Sequence, residues 1–490
     1  MSDLLLMLSA IAVPVVSGIA VGLIKMNAKA QKALVLSACA LTAVITGVNA
    51  AADTGASHVV LSVVGPLELT LCTDGVSKIF SIIAVVMWLL AAVFSQSYMR
   101  HESKDTHPRY YAFLLVSLGM TLGMDFAGDM ITAYLFYELI TLTTFPLVLH
   151  SMRPEAIRAA KKYLFYSVAG GFMALFGIFF CYNNCSTLAF TAGGSLLPQG
   201  GTGIMLVAVF VAILGFGAKA GSYPLHGWLP TAHPEAPAPA SALLSGVIAK
   251  AGVLAIIRIV FYVVGADLIA GTWVQYAWTG VALLTVFMGS MMAYREKLFK
   301  KRLAYSTVSQ ISYVLLGLSL LNFGGVTGAL LHVIFHAVIK CGLFLVAGAI
   351  ICKTGLTNID DYTGIGKRMP VTLWCFTICS LALIGIPPLS GFVSKWYLAS
   401  ASLAEYPGAL GWICVAVLLV SALLTAGYLL PVTVRGFFPG NDYKTGERCE
   451  ADAYMLVPLI ILAVAAALLG IFIPDQLRSL VYAIAGAVAL

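Results

Sequence analysis

The chain is an all-α integral membrane protein. Three observations predict this. Of its 490 residues 60% are hydrophobic and only 10% are charged, far from the balance of a soluble domain. Apolar stretches near the roughly 20 residues that span a bilayer recur from end to end, about 14 of them. The net charge of +7 is concentrated in the loops on one side of those stretches, which reads as membrane topology rather than nucleic-acid binding.

The segments fall at about 3–24, 33–51, 78–97, 111–126, 129–150, 162–183, 203–221, 238–263, 273–293, 303–321, 325–352, 371–400, 408–434 and 453–473. Met1–Ile24 has no cationic start and no small-residue cleavage site, so it reads as a first membrane helix rather than a removed signal. Lys25, Lys29 and Lys32 occupy the first loop, and Arg100, Lys104 and Arg109 adjoin the third. Arg153, Arg158, Lys161 and Lys162 occupy the fifth, and Arg295, Lys297, Lys300, Lys301 and Arg302 the ninth. Lys353, Lys367 and Arg368 follow in the eleventh, and Arg435, Lys444 and Arg448 in the thirteenth. Every basic loop is odd-numbered, which places those loops in the cytoplasm and both termini outside the cytoplasmic (inner) membrane.

Outside the membrane, His58–Leu71 alternates β-branched residues around Gly65-Pro66 and predicts a hairpin on the outer face. The loop 183–202, rich in Gly and Ser, predicts irregular backbone. The ten cysteines form no framework, and neither Cys181/Cys185 nor Cys375/Cys379 has a His or carboxylate converging on it.

Two segments carry helix breaks. In segment 7, Gly221 and Pro224 follow Lys219; in segment 12, Pro387 and Pro388 precede Lys395. Proline inside an apolar helix removes a backbone bond and clashes with the preceding turn. At membrane depth such a break survives only when buried in protein or lining a wet cavity. The breaks are five segments apart, an odd number, so the units holding them run in opposite directions. This predicts two inverted five-helix repeats, helices 4–8 (residues 111–263) and 9–13 (residues 273–435). They are preceded by residues 1–110 with helices 1–3 and followed by 453–490, a last helix and tail.

The charges inside the segments carry the functional argument. Each costs at least about 2.5–3.5 kcal/mol at the bilayer centre. Glu138 lies in segment 5 with no basic partner on its own helix, and reads either as a protonated helix residue or as the partner of a lysine elsewhere. Lys219 is such a lysine: desolvation disfavours the charged form unless a carboxylate compensates, so a Glu138–Lys219 pair that opens and closes would be a protonation switch. Snorkelling of Lys219 to the interface is the alternative. Lys250 lies too deep in segment 8 for that escape. His332, His336 and Lys340 repeat at i, i+4, i+8 on one face of segment 11, the pattern of a proton wire; zinc ligation or histidines satisfied by backbone are the competing readings. Lys395 reads as an outer proton-exchange group or an interfacial anchor beside Trp396 and Tyr397. His226, His233 and Glu235, in the connection between segments 7 and 8, read as a cytoplasmic proton-uptake site or as rigid-loop polar groups.

At these residues the chain resembles the antiporter-like membrane subunits shared by respiratory complex I, membrane-bound energy-converting hydrogenases and Mrp-type cation/proton antiporters. The matching words are YLFYEL around Glu138, PLHGWLPTAHPEAPAPASALLSG leading to Lys250, KRLAYSTVSQISY (301–313), HVIFHAVIKCGLFLVAG around Lys340, and GIPPLSGFVSKW around Lys395. The resemblance implies 14 membrane helices with two inverted repeats and a Glu138–Lys219 pair. It also implies a central Lys250, His336 and Lys340 in helix 11, and a terminal Lys395. The wording HPEAPAPASALLSGVIAK looks more like the hydrogenase and Mrp branches than the quinone-reducing one. A chain ending at Leu490, without a long lateral helix, argues against the complex I subunit that carries one.

The expected function is translocation of protons, or sodium against protons, driven by partner subunits. Further antiporter-like subunits are the implied membrane partners. The chain holds no cofactor or metal site in this reading, so Fe–S, nickel or flavin would reside in partner subunits of an oxidoreductase complex. A self-sufficient transporter would need a substrate pocket, and a non-pumping scaffold would make the buried charges dispensable.

Overall fold

A computed structural model describes residues 2–52, 55–64, 67–102, 106–197, 203–440 and 446–490. The Gly65-Pro66 turn, Lys104, Lys444 and the end of the 183–202 loop lie outside the described residues.

The chain opens with α1 (Ser2–Leu23) and α2 (Ala28–Ala52), both apolar and largely uncovered by protein. The hairpin follows as β1 (Ser57–Val64) paired antiparallel with β2 (Leu67–Cys72). Asp74 then starts α3 (Gly75–Tyr98): its carboxylate accepts the Ser77 amide at 2.8 Å, satisfying one of the orphan donors of the first turn. Next come α4 (His107–Asp125), α5 (Met130–Val148), capped by Asp129 in the same way, and α6 (Pro154–Asn184).

The expected break in segment 7 separates α7 (Gly203–Ala220) from the short α8 (Leu229–Glu235). Gly221 takes φ +81°, a conformation L side chains rarely adopt, and the Trp228 indole donates to the Ala218 carbonyl at 2.8 Å, closing the exposed helix end.

Segment 8 was expected as one helix but is four pieces: α9 (Ala238–Leu243), a π-turn (Leu244–Ile248), α10 (Ala249–Ile257) and a second π-segment (Arg258–Val264). Neither π-segment contains a proline, the usual cue to an irregularity. The first holds Gly246 against Cys341, where an added Cβ would collide with the Cys341 sulfur.

The second half repeats the succession: α11 (Trp273–Arg295), α12 (Phe299–Ser319), α13 (Phe323–Thr354), the single turn α14 (Ile365–Arg368), then α15 (Pro370–Ile384), α16 (Ser390–Glu405) and α17 (Ala409–Phe437). The α15–α16 break is the expected one, with Gly385 at φ +91° ending α15 and Pro387-Pro388 in the turn. α18 (Ala453–Ile471) closes the set. The segment beyond, expected as a tail, is an amphipathic helix, α19 (Asp475–Val488), which lays Val481, Ile484, Ala485 and Val488 against α13 and α3.

Among the described residues, eleven helices are long and apolar enough to cross a membrane. The remaining expected spans fall on α4, on α12 and on the α15–α16 pair. α12 is the most polar of these, with Ser306, Thr307, Ser309, Gln310 and Ser312 all buried. The protein core lies on segment 8, whose apolar window is 100% buried, and on α13, at 94%. Lys250, His332, His336 and Lys340, which lie on these two elements, are therefore held in the middle of the fold.

Candidate functional site

The breaks and the π-turn expose backbone carbonyls, and lysines bind them. The Lys250 ammonium donates to the Ser245 carbonyl inside the π-turn at 2.9 Å. Lys395, at the start of α16, reaches back to the last carbonyls of α15, Leu383 at 2.6 Å and Ile384 at 3.0 Å. A cation at a helix C-terminus is favoured both by the orphan carbonyls and by the helix dipole. Lys340 donates to the Leu303 carbonyl of α12 at 3.0 Å. Lys219 donates to the Tyr137 carbonyl of α5, with its ammonium 3.5 Å from the centre of the Tyr137 ring.

The pairing expected between Glu138 and Lys219 is not a direct ion pair. Successive residues of a helix point about 100° apart, and Lys219 is seated on the Tyr137 side of α5. The Glu138 carboxylate instead lies against Gly171 of α6, with Oε1 buried and without a hydrogen-bond partner. The two side chains are nevertheless close enough for their charges to act on one another. It also lies on the α5 face that carries Leu135 and Leu142, both exposed.

Lys250 and Lys340 are joined by hydroxyls. Ser245 Oγ and Thr307 Oγ1 are 2.6 Å apart, and Thr307 Oγ1 donates at 3.0 Å to the Leu303 carbonyl that also receives Lys340. Lys250 thus meets the Ser245 carbonyl, while the hydroxyl of the same residue leads through Thr307 to the Leu303 carbonyl that Lys340 also meets. From Lys340 the α13 stripe leads through His336 to His332, with the imidazoles 5.9 Å apart. His332 Nδ1 meets Ser394 Oγ at 2.9 Å, one residue before Lys395. Tyr313 completes that end, stacked on His332 at 5.6 Å and 5.1 Å from the Lys395 ammonium.

Both ring nitrogens of His336, Nε2 of His332 and both amide atoms of Gln310 are buried without a protein partner. Such atoms are costly unless water serves them, so this part of the core suits a hydrated path. His233, on α8, is fully buried, stacks on Phe344 one turn beyond Lys340 at 4.7 Å, and also has both nitrogens unpartnered. Beside it Lys300 donates to the carbonyls of Pro234 at 3.0 Å and Ala236 at 2.5 Å, with Glu235 as its nearest opposing charge. His226 is set apart from this group, stacked at 6.0 Å on Tyr223.

Sequence reasoning missed Ser245, Thr307, Tyr313 and Ser394. All four lie inside the words that carry the family resemblance, and that clustering was the available signal. Among the described residues no group of three or more His, Cys, Asp or Glu side chains is placed to hold a metal.

One buried cation does have a carboxylate. Arg258 binds Asp74 through two nitrogens at 2.5 and 2.9 Å, donates to Ser77 Oγ at 3.1 Å and lies over the rings of Phe190 and Tyr262. Burial pushes the Asp74 carboxyl up, but the Arg258 charge and the hydrogen bonds from Arg258 and Ser77 outweigh it and hold it down at about 2.

The family described as NADH:quinone oxidoreductase/Mrp antiporter, transmembrane, matches residues 127–430. The NADH-quinone oxidoreductase subunit N of Desulforudis audaxviator is 33% identical over 421 residues, 83% of each chain. Hydrogenase-4 component B of Escherichia coli is 31% identical over 431 residues, 82% of this chain but 62% of that relative, so the chain spans less than two thirds of its length. A chain of the membrane-bound sulfane sulfur reductase, an archaeal respiratory membrane complex, superimposes with a TM-score of 0.85 at 25% identity, covering 98% of this chain and 97% of that one. The chain belongs to the NADH:quinone oxidoreductase/Mrp antiporter family and is an integral membrane protein.

Proposed function

From that membership and from the polar axis, we propose that this chain is the ion-translocating, antiporter-like subunit of a multi-subunit complex in the cytoplasmic membrane. Protons are taken up from the cytoplasm beside Glu235 and His233 and reach Lys340 and Lys250. They pass His336 and His332 and leave through Lys395 to the outside, where both termini lie. The observation that supports this reading is the series of buried polar groups between Lys250 and Lys340, through Ser245, Thr307 and the Leu303 carbonyl, continued by the α13 stripe towards Lys395.

Glu138 sets the state of Lys219, and a charge arriving beside Glu138 from a neighbouring subunit drives the change. The half-buried position of Glu138 on an otherwise exposed face supports a protein neighbour there, because a carboxylate facing lipid is expensive. Helices 4–8 and 9–13 act as inverted halves, supported by the two matching breaks. Partner subunits supply the driving reaction, with Fe–S, nickel or flavin centres in those subunits if the complex is an oxidoreductase.

The parent complex is of the hydrogenase or Mrp type in our reading. The 33% identity to a subunit N favours a quinone-reducing complex as the second reading. Purification in mild detergent separates these: co-purifying nickel or Fe–S subunits with hydrogenase activity, small subunits without redox centres, or quinone reductase activity. Translocation is tested by reconstituting the complex in vesicles and following internal pH, with sodium present and absent. Pumping that survives Lys250→Ala and Lys340→Ala would overturn the proposed path.

A further inference from the structure

A second, separate place on the molecule is built for an anion. At the cytoplasmic ends of α1 to α4 lies a cavity of about 540 Å³ whose lining includes Lys29, Lys32, Arg100, His107 and Gln96. The basic groups come from three elements: the first turns of α2, the end of α3 and the start of α4. Among the described residues no acidic side chain lines it. The Asp452 carboxylate, close to Tyr454, is engaged by Ser97 and by the first turn of α18.

Like charges are gathered here. The Lys32 ammonium lies 3.9 Å from the centre of the Tyr454 ring, and the Arg100 guanidinium lies 6.0 Å from the same centre. Two cations from different elements thus gather at one tyrosine, whose hydroxyl accepts from the Lys32 ammonium. An anion bound beside them would relieve their mutual repulsion. Two further features strengthen the attraction: the N-termini of α2 and α4 both open on the cavity, adding backbone donors and positive dipole ends. Gln96, only 8% exposed, adds an amide to the wall.

The surroundings identify the class of anion. The end of α1 beside the cavity presents Leu23 and Ile24, 81% and 58% exposed, at the level where acyl chains meet headgroups. The cavity lies on the side where the basic loops are concentrated, the side that faces anionic lipid. A free phosphate would be bound by the cations alone; a phospholipid adds the apolar contact.

We propose that this cavity binds the phosphodiester headgroup of an anionic phospholipid from the cytoplasmic leaflet, with its acyl chains along α1. Such a lipid would tie the α1–α2 loop to α3 and α4. This site is independent of the ion path, and its failure leaves that reading untouched.

The test uses the intact purified complex in detergent, probed with spin-labelled phosphatidylglycerol and spin-labelled phosphatidylcholine. The expected result is preferential retention of phosphatidylglycerol. Each basic group near a membrane surface is worth roughly fivefold in affinity, so Lys29→Gln/Lys32→Gln/Arg100→Gln should lower the preference on the order of 100-fold. Lys29→Gln alone, at an exposed position, should lower it about fivefold without risk to folding. Lys161→Gln/Lys162→Gln, in the N-terminal part of α6 on the same side, should leave it unchanged. Undiminished preference in the triple variant, an equal loss in the Lys161/Lys162 control, or displacement of the lipid by inorganic phosphate at equal concentration would overturn the proposal.

Discussion

The two broken helices carry one lysine each, and they use it in opposite ways. Lys219 sits before its break, in the last turn of α7, and reaches across to α5, where the Tyr137 carbonyl and ring hold it and Glu138 acts on it from close by. Lys395 sits after its break and folds back onto the carbonyls that the break exposes in α15. In the proposed mechanism the first lysine depends on a group that gains and loses charge. The second is held by backbone dipoles that do not change. On that proposal a carboxylate neighbour serves as a switch, whereas a helix end serves as a fixed seat from which a proton leaves. Between them lie Lys250 and Lys340, which bind no carboxylate among the described residues and meet hydroxyls and the Ser245 and Leu303 carbonyls instead.

The largest expected effect falls on that middle pair. Lys250→Arg keeps the charge but cannot release a proton near neutral pH. Translocation by the reconstituted complex should fall about 100-fold or more, the usual cost of removing a proton-transferring group. A Lys250→Arg complex that pumps at the normal rate would break the comparison, because the axis would then need only a positive charge.

Next comes the contrast between the halves. Glu138→Gln and Lys219→Ala each remove one side of the same interaction, so their losses in a pumping assay should be non-additive, with a coupling of about 0.5–3 kcal/mol. Glu138→Gln combined with Lys395→Ala should be additive within about 0.5 kcal/mol, because the two sites share no partner. Equal coupling in both cycles would erase the distinction between switch and seat.

A smaller loss is expected from the hydroxyl link. Thr307→Val removes the group that joins Ser245 Oγ to the Leu303 carbonyl while keeping the volume. The cost of an interrupted buried bond is about 1–2 kcal/mol, so pumping should slow roughly tenfold rather than cease. Thr307→Ser should restore most of the rate. An unchanged rate in Thr307→Val would mean that Lys250 and Lys340 communicate by another route.

How much of this was readable beforehand follows from what stands out in an apolar chain. A lysine or a double proline inside a membrane segment is conspicuous, so Lys219, Lys250, Lys340, Lys395 and both breaks could be located. The hairpin was readable from alternation, and the family from five worded matches. Serine and threonine are inconspicuous, because in membrane helices they commonly bond to their own preceding turn. Ser245, Thr307 and Ser394 therefore looked like ordinary helix residues. The π-segments of segment 8 left no signature either, since neither contains a proline. The Glu138–Lys219 expectation named two interacting residues but not their facing: a single step of the α5 helix decides whether the ammonium meets the carboxylate or the neighbouring ring, and only packing fixes that step.

The smallest effect on transport should come from the one buried cation that does have a carboxylate. Arg258 and Asp74 form a closed pair at the N-terminal end of α3, which marks it as structural where the proposed mechanism makes the lysines working groups. Asp74→Asn should leave pumping near normal yet lower the stability of the purified protein by about 2–4 kcal/mol, since a buried guanidinium loses its counter-charge. The pH dependence has a definite sign. The Asp74 carboxyl is held at about 2 in the fold, below its usual 3.8. Its contribution is therefore fully present above pH 3.8 and is lost as pH falls through about 2. The melting-temperature difference between the original chain and Asp74→Asn should be constant from about pH 5 to 8, and should shrink as the medium is made more acidic than the ordinary carboxyl range. A difference that instead varied near neutrality would point to a titrating group other than Asp74, and the contrast between a paired, structural cation and unpaired, working ones would have to be redrawn.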